Sequence, residues 1–392
     1  MPTPSRQLHI VHVLDTLDPA TGGVVAHATD LAILMARLGH RVTFVTAHTE
    51  PRPRGLDAES GIELASVGAM GRTGRVLRKA QIADVLEHAR AADVVHLHGC
   101  WMPYNDQVAR GLRRMGKPYV FTPHGMLDDW CMKQGGLKKR VYHALFGARL
   151  IAGAQRILYC ASAEQQQSER WVGGVPGQVI PAAMDLSDYV SLPGPERARA
   201  EVEGADTADP IVLFLSRIDP KKGLETLLEA MAVLAARETA ATLLVAGSGE
   251  PGYVAELERS AETLGIAGRV RFVGPVRDAK KVSLYQRADV LALATHQENF
   301  GLVLTESLAA ETPVITTRGV DIWPDIVEHD AGLIVDRTAE AFADAIEEVI
   351  SNPERAAQMG RNGRAWVFEA FTSDVLGPAF ASMYAEVVGK AD

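Results

Sequence analysis

Two carboxylates, Glu298 and Glu306, stand eight positions apart in the stretch 295–310, THQENFGLVLTESLAA. Glu298 falls in a turn after the apolar, strand-like run 290–294. Glu306 falls one or two turns into a helical pattern, with Leu302, Leu304, Leu308 and Ala309 apolar and Gly301 ahead of them. The first N–H groups of such a helix have no partner within it, and the aligned peptide dipoles put partial positive charge there, so an anion such as a phosphate is the natural ligand. A carboxylate just inside the helix can accept hydrogen bonds from vicinal hydroxyls, as on a ribose. The stretch can therefore hold both ends of a nucleotide. Acidic residues also collect at helix N-termini simply because they complement the dipole. A second site upstream favours the ligand: residues 216–223, SRIDPKKG, follow the apolar run 211–215 and precede apolar Leu224, Leu227, Leu228 and Met231. Arg217 and Lys222 are thus placed at the C-terminal end of a strand, where open α/β sheets bind ligands. The planar fork of an Arg and the mobile charge of a Lys suit a diphosphate.

Glu298 and Glu306 with seven residues between them, the intervening Asn299-Phe300-Gly301, and Arg217 with Lys222 before Gly223 resemble the signature of glycosyltransferase family 4. The resemblance covers nearly the whole chain. It implies an α/β protein of GT-B fold: two facing, Rossmann-like, doubly wound parallel-sheet domains with a nucleotide-sugar donor, UDP- or GDP-linked, in the cleft between. It also implies transfer to an acceptor hydroxyl with retention of configuration and without a metal or other cofactor. Arg217 and Lys222 would neutralise the departing diphosphate, the electrostatic role a metal takes in other transferases. The amides of Phe300, Gly301, Leu302 and Val303 would assist, Glu306 would hold the ribose hydroxyls, and Glu298 with the Asn299 amide would hold the sugar.

Length and composition agree with this reading. The 392 residues exceed one ordinary core and suit two domains. With 47% apolar and 23% charged residues the composition is that of a water-soluble globular protein. No run is long enough to span a bilayer, and the first apolar segment is cut off by Asp15, so no signal peptide is expected. Cys100, Cys131 and Cys160 lack CxxC spacing, which argues against a disulfide framework or zinc site and fits a reducing cytoplasm. A net charge of −9 argues against general nucleic-acid binding.

Elements must position these groups. Strands are expected at 8–14, 41–46, 94–98, 119–122, 157–161 and 178–180, then at 211–215, 242–246, 270–273, 290–293, 314–317 and 333–335, with helices between. Such alternation implies parallel, doubly wound sheets with right-handed crossovers. The Pro- and Gly-containing stretches 191–195 and 204–210 mark the domain boundary. The domains are therefore 1–190 on the acceptor side and 191–370 on the donor side, and residues 371–392 form a terminal helix crossing back to the first domain, as the fold implies. Gly22 and Gly23, in the loop 18–24 before a helix, permit a tight turn; in the family that loop lets a backbone amide approach the donor, which assigns Gly23 to donor binding. Residues 71–79, with Arg72, Arg75, Arg78 and Lys79, read as a solvated basic helix face. Gly247, Gly249 and Gly252 spell GxGxxG after a strand, but the next strand ends in Val273-Gly274-Pro275 rather than an acid for a ribose, so they read as turn glycines.

His96, His98 and His124 are not expected to form a metal centre: the two strand histidines are read as facing opposite sides of the sheet, and no carboxylate or cysteine stands at ligand spacing. His124, at a strand tip beside Gly125, matches by resemblance the histidine that contacts the donor sugar near its reacting carbon. Domain closure is expected to bring it there. Where many family members carry Asn-Gly-Val, this chain has Ala182, Ala183 and Met184 before Asp185, and no role is carried over.

Residues 130–149 contain Lys133, Lys138, Lys139, Arg140 and Arg149 and no acid. Leu137, Val141, Leu145 and Phe146 fall near helical spacing between them. One reading is a solvated basic face over a core stripe. The other is a patch, 133–149, resting on anionic membrane at the inner face of the plasma membrane, near a lipid-linked acceptor. PHGMLDDW and HLHGCW resemble bacterial enzymes of exopolysaccharide or capsule assembly, which points to a glycan or lipid-linked glycan acceptor. A small natural product as acceptor, a sugar-nucleotide 2-epimerase, and a silent nucleotide-sugar-binding subunit are the rival readings.

Overall fold

Unbroken runs of Val, Ile and Leu suit strands covered on both faces, as in all-parallel sheets. A computed structural model of the chain, describing residues 6–53, 55–56, 58–70 and 76–390, shows two such sheets. The first contains β1 (His9–Val13), β2 (Arg41–Thr46), β3 (Glu63–Ser66), β4 (Val94–His98), β5 (Tyr119–Thr122), β6 (Arg156–Tyr159) and β7 (Gly177–Val179), in the order β3-β2-β1-β4-β5-β6-β7. The second contains β8 (Ile211–Leu215), β9 (Thr242–Ala246), β10 (Val270–Gly274), β11 (Val290–Leu293), β12 (Val314–Thr316) and β13 (Gly332–Ile334), in the order β10-β9-β8-β11-β12-β13. All pairings between these strands are parallel. The two Rossmann-like sheets of the expected fold are both present. In each the strand order reverses once, between β1 and β4 and between β8 and β11, and beyond the strand C-termini at that point doubly wound sheets bind ligands.

The chain divides into two compact units, Met1–Met184 with Ser373–Asp392, and Asp185–Thr372. The division falls ahead of the 191–195 stretch because the short helix Glu196–Glu201 is tied into the second unit: Ser283 Oγ accepts from the Ala198 amide (2.9 Å) and donates to the Gly194 carbonyl (2.7 Å). In the second unit Leu213, Phe214, Leu243 and Leu291 are fully buried between flanking helices. Each such side chain contributes roughly 1.5–3 kcal/mol. The last helix, Ser373–Gly389, packs into the first unit, burying Phe380, Met383, Tyr384 and Val387. Arg72 and Arg75 of the basic stretch 71–79 lie outside the described residues; Arg78 and Lys79 stand at the start of the helix Lys79–Ala91.

Candidate active site

In the second unit β8 runs into Ser216 and Arg217 and then one 3-10 turn, Pro220–Lys222. Asp219 starts the turn, its carboxylate accepting from the Lys221 amide (2.9 Å), and Gly223 closes it at φ 67°. A Cβ on Gly223 would lie 2.0 Å from the Ala294 carbonyl oxygen, so only glycine lets this turn sit on the end of β11. The His296 amide (2.9 Å) and Thr295 Oγ1 (3.1 Å) both donate to the Lys221 carbonyl. On the other side, Thr317 Oγ1 donates to the Thr295 carbonyl (2.8 Å) and the Glu298 amide to the Gly319 carbonyl (2.8 Å). The loop after β11 is thereby fixed to both neighbours.

The result is an ion pair between the Lys222 ammonium and the Glu298 carboxylate, with side chains 10% and 21% exposed, at the strand-order reversal. Lys222 and Glu298, 76 residues apart, are brought into one site. Gly301, at φ 73°, starts the helix Leu302–Ala309; the Leu304 amide already donates to the Gly301 carbonyl (2.7 Å), so it is the amides ahead of it that helix geometry leaves without an intrahelical acceptor. Phe300 turns inward, edge to face with Phe371. The Asn299 amide oxygen meets no hydrogen-bond partner among the described residues. Arg217 is exposed and makes no ion pair among the described residues.

Glu306 has a cation of its own. Its carboxylate accepts from Lys281 Nζ (2.7 Å) and from the Tyr285 hydroxyl (2.8 Å). Burial, followed by the Glu306 charge, pushes the Tyr285 phenol well up, so it remains a donor at neutral pH. Lys281 and Tyr285 project from one face of the helix Asp278–Arg287, and both escaped the sequence reading. The available signal was their i, i+4 spacing just upstream of β11. Gly247 and Gly249 do pack as structural glycines: a Cβ on Gly247 would lie 1.9 Å from the Ser216 oxygen, and on Gly249 2.4 Å from the Ile218 oxygen.

In the first unit His124 follows β5 at φ 55°, an uncommon left-handed position for a side chain. The turn is held by buried Glu164, whose carboxylate accepts from the Gly125 (2.6 Å) and Cys160 (2.8 Å) amides. Gly22, at φ 99°, makes the bend before the helix Gly23–Arg37, whereas Gly23 has ordinary backbone and nothing within 4 Å of a built Cβ. The turn requirement therefore falls on Gly22 alone.

The reading of His96 and His98 as facing opposite ways is overturned. Side chains two apart on a strand share a face, and here they stack with rings 4.2 Å apart. His12, opposite His96 in register, joins them. One nitrogen from each of His12, His96 and His98 lies within 4.8 Å of the others, so two of the three histidines not expected to cluster, His96 and His98, do converge, with His12 as the third in place of His124. Their nitrogens are mostly engaged already. His96 bonds the Tyr384 hydroxyl through Nδ1 and Thr122 Oγ1 through Nε2, both at 2.7 Å. His98 bonds His12 and His124, both at 3.0 Å. Burial lowers the His12 pKa to about 3 and that of neighbouring His27 to about 4.

The core-stripe reading of 130–149 is likewise corrected. Leu137, Val141, Leu145 and Phe146, on the helix Gly136–Tyr142 and the π-helical turn His143–Gly147, are all exposed, Leu137 to 80%. Among the described residues no helix is long and apolar enough to cross a membrane.

Residues 196–366 match the family described as glycosyl transferases group 1, and residues 22–183 the one described as a glycosyl transferase 4-like domain. D-inositol 3-phosphate glycosyltransferase from Rhodococcus opacus (strain B4) is 30% identical over 378 residues, covering 89% of this chain and 83% of that protein. The chain belongs to the group 1 glycosyl transferases. Solved structures give the same fold for this glycosyltransferase. Sucrose-phosphate synthase from Thermosynechococcus elongatus superposes with a TM-score of 0.78 at 23% identity, covering 98% of this chain and 100% of that one. Anabaena HepE, in complex with UDP-glucose, gives 0.79 at 20% identity, covering 97% and 100%. The Lys222–Glu298 pair and the Glu306 cluster both lie within the stretch matched by the group 1 transferases.

Proposed function

We propose that this glycosyltransferase moves a sugar from a UDP- or GDP-sugar to a hydroxyl of a glycan or lipid-linked glycan, with retention at the anomeric carbon and without a divalent cation. The observation that carries the donor side is the Lys222–Glu298 pair at the β8–β11 reversal. Lys222 and exposed Arg217 take the diphosphate, aided by the amides of Phe300, Gly301, Leu302 and Val303. Glu298 and the Asn299 amide hold sugar hydroxyls, and Glu306, aligned by Lys281 and Tyr285, holds the ribose. As the bond from the anomeric carbon to the phosphate oxygen breaks and the bond to the acceptor oxygen forms, negative charge collects on the departing diphosphate, where Lys222 stabilises it, and the acceptor's hydroxyl proton passes to the leaving phosphate oxygen. His124 and Gly23 are assigned to the donor on the family resemblance.

The exposed apolar face of 137–146, among five basic residues, supports contact with an anionic membrane and hence a lipid-linked acceptor, with the enzyme peripheral on the cytoplasmic face. A second acceptor reading, a small phosphorylated polyol, is favoured by the name of the Rhodococcus relative. The deciding experiment is a binding panel of UDP, GDP and their sugar conjugates, followed by transfer assays with lipid-linked and inositol phosphate acceptors in EDTA. Binding of one base that is lost in Lys222→Ala supports the site. Conversion of the donor alone into its 2-epimer, or binding with no transfer to any acceptor, would replace the reading.

A further inference from the structure

Three rings of the first unit, His12 and His98 buried and His124 half-buried, form an unbroken line. His124 Nε2 lies 3.0 Å from His98 Nδ1, and His98 Nε2 lies 3.0 Å from His12 Nδ1. Two imidazole nitrogens at that distance need one hydrogen between them, neither none nor two. The surroundings keep each ring uncharged, because burial disfavours the imidazolium and the charges felt by His98 are those of other imidazoles, His96, His124, His12 and His27. A neutral imidazole carries one hydrogen. If His98 carries it on Nε2, that hydrogen fills the link to His12, so His12 must carry its own on Nε2; His98 Nδ1 is then a bare acceptor, so His124 must carry its hydrogen on Nε2. If His98 carries it on Nδ1, both neighbours must carry theirs on Nδ1. Mixed arrangements leave one link with two hydrogens or with none.

We propose that His12, His98 and His124 tautomerise as one unit, so that the two inner histidines set whether Nδ1 of His124 donates or accepts a hydrogen bond. The inner end of the line is closed, since His12 Nε2 is buried and meets no partner among the described residues. The outer end is His124, which is half-buried. A ligand oxygen that only accepts, such as a phosphate or a carbonyl, selects Nδ1–H on all three rings, and a ligand donor selects Nε2–H on all three. His98 and His12 are thus positioning residues that act through His124. The lock itself stands on the geometry of the first unit; its consequence for the donor rests on the proposed function.

The test is the tautomeric state of each ring in the full-length chain at pH 7.5, read from two-bond 15N–1H couplings. The expected result is the same Nδ1–H fraction at His12, His98 and His124, shifting in step when UDP is added. The line is then cut by His12→Phe, which removes the inner end of the lock: His98 and His124 should still share one tautomer through their 3.0 Å link, but their common Nδ1–H fraction should differ from that of the unaltered chain. Opposite tautomers on neighbouring rings in the unaltered chain, or a charged ring among them, would overturn the proposal, and neither readout requires transfer activity. Because His96 completes a potential ligand set with His12 and His98, zinc is titrated in the same samples: unmoved resonances are expected, and stoichiometric zinc binding that displaces the links would overturn it as well.

Discussion

Lys222 and Glu298 neutralise each other across the junction of β8 and β11. In the proposed reading, the charge that would meet a diphosphate is held against a carboxylate that would turn to sugar hydroxyls. Removing one partner strands the other in a site only 10–21% exposed. Lys222→Ala and Glu298→Ala should each lower unfolding free energy by about 1–3 kcal/mol, and the double variant should lose less than the sum. Urea unfolding of all four chains checks this. Turnover should fall on the order of 100-fold or more in every variant, so recovered stability with absent activity separates the two roles.

The Glu306 cluster predicts a different pattern. Tyr285→Phe removes one hydrogen bond to a charged acceptor, worth about 1.5–3 kcal/mol, and Lys281→Ala removes the paired cation. Both should raise the donor KM more than tenfold with a smaller change in kcat. Initial-rate kinetics at saturating acceptor decides, and a pure kcat effect would mean that Glu306 does not hold the ribose.

Gly23→Ala should fold normally. Its Cβ meets nothing within 4 Å and its backbone is ordinary, so stability should stay equal or rise by about 0.4–1 kcal/mol. Donor affinity should nevertheless drop if a ligand approaches there. Calorimetry paired with a thermal melt measures both, and unchanged affinity removes Gly23 from the site.

Acid should unfold the first unit early. The unfolded chain protonates its histidines below their ordinary value of 6.5, whereas folded His12 and His27 stay neutral down to about 3 and 4, and His96 and His98 are also lowered by burial. Folding stability is thus complete above about pH 6.5 and falls as pH drops below it, by about 1.4 kcal/mol per pH unit for each such ring. Melting temperatures taken between pH 7.5 and 4.5 should fall steeply below 6; a flat profile would contradict the burial of these rings.

Sedimentation with anionic liposomes tests the exposed apolar face. Binding at low salt should weaken as salt rises, and Leu137→Asp with Phe146→Asp should abolish it while leaving transfer to a soluble acceptor intact. Absence of binding at low salt removes the membrane from the picture.

Most strands were legible because a parallel strand covered on both faces reads as an unbroken apolar run, as in IVLFL and TLLVA. Glu63–Ser66 was not, since an edge strand of four half-exposed residues has no such run. Lys222 and Glu298 were legible as separate residues, each at a strand end, but their contact is tertiary and appears only once β8 and β11 pair. Lys281 and Tyr285 lie on a helix whose pattern reveals an apolar face, not what its polar face meets. The same limit hid the fate of Leu137, Val141 and Leu145: periodicity shows that they share a side, and only packing decides whether that side is covered. The error over His96 and His98 was one of geometry, because period two places them together.

The helix Ser373–Gly389 completes a unit whose other residues end at Met184. During synthesis Tyr384 leaves the ribosome 288 residues after His96. At 5–20 residues per second that is a delay of about 15–60 s. Throughout it, the nascent first unit carries an uncovered apolar face and an incompletely bonded imidazole, and the second unit, continuous in sequence, is free to finish folding first. The later half of the gene product is thus the earlier half to mature, and premature termination anywhere after residue 184 yields a first unit that chaperones and proteases will meet as unfinished.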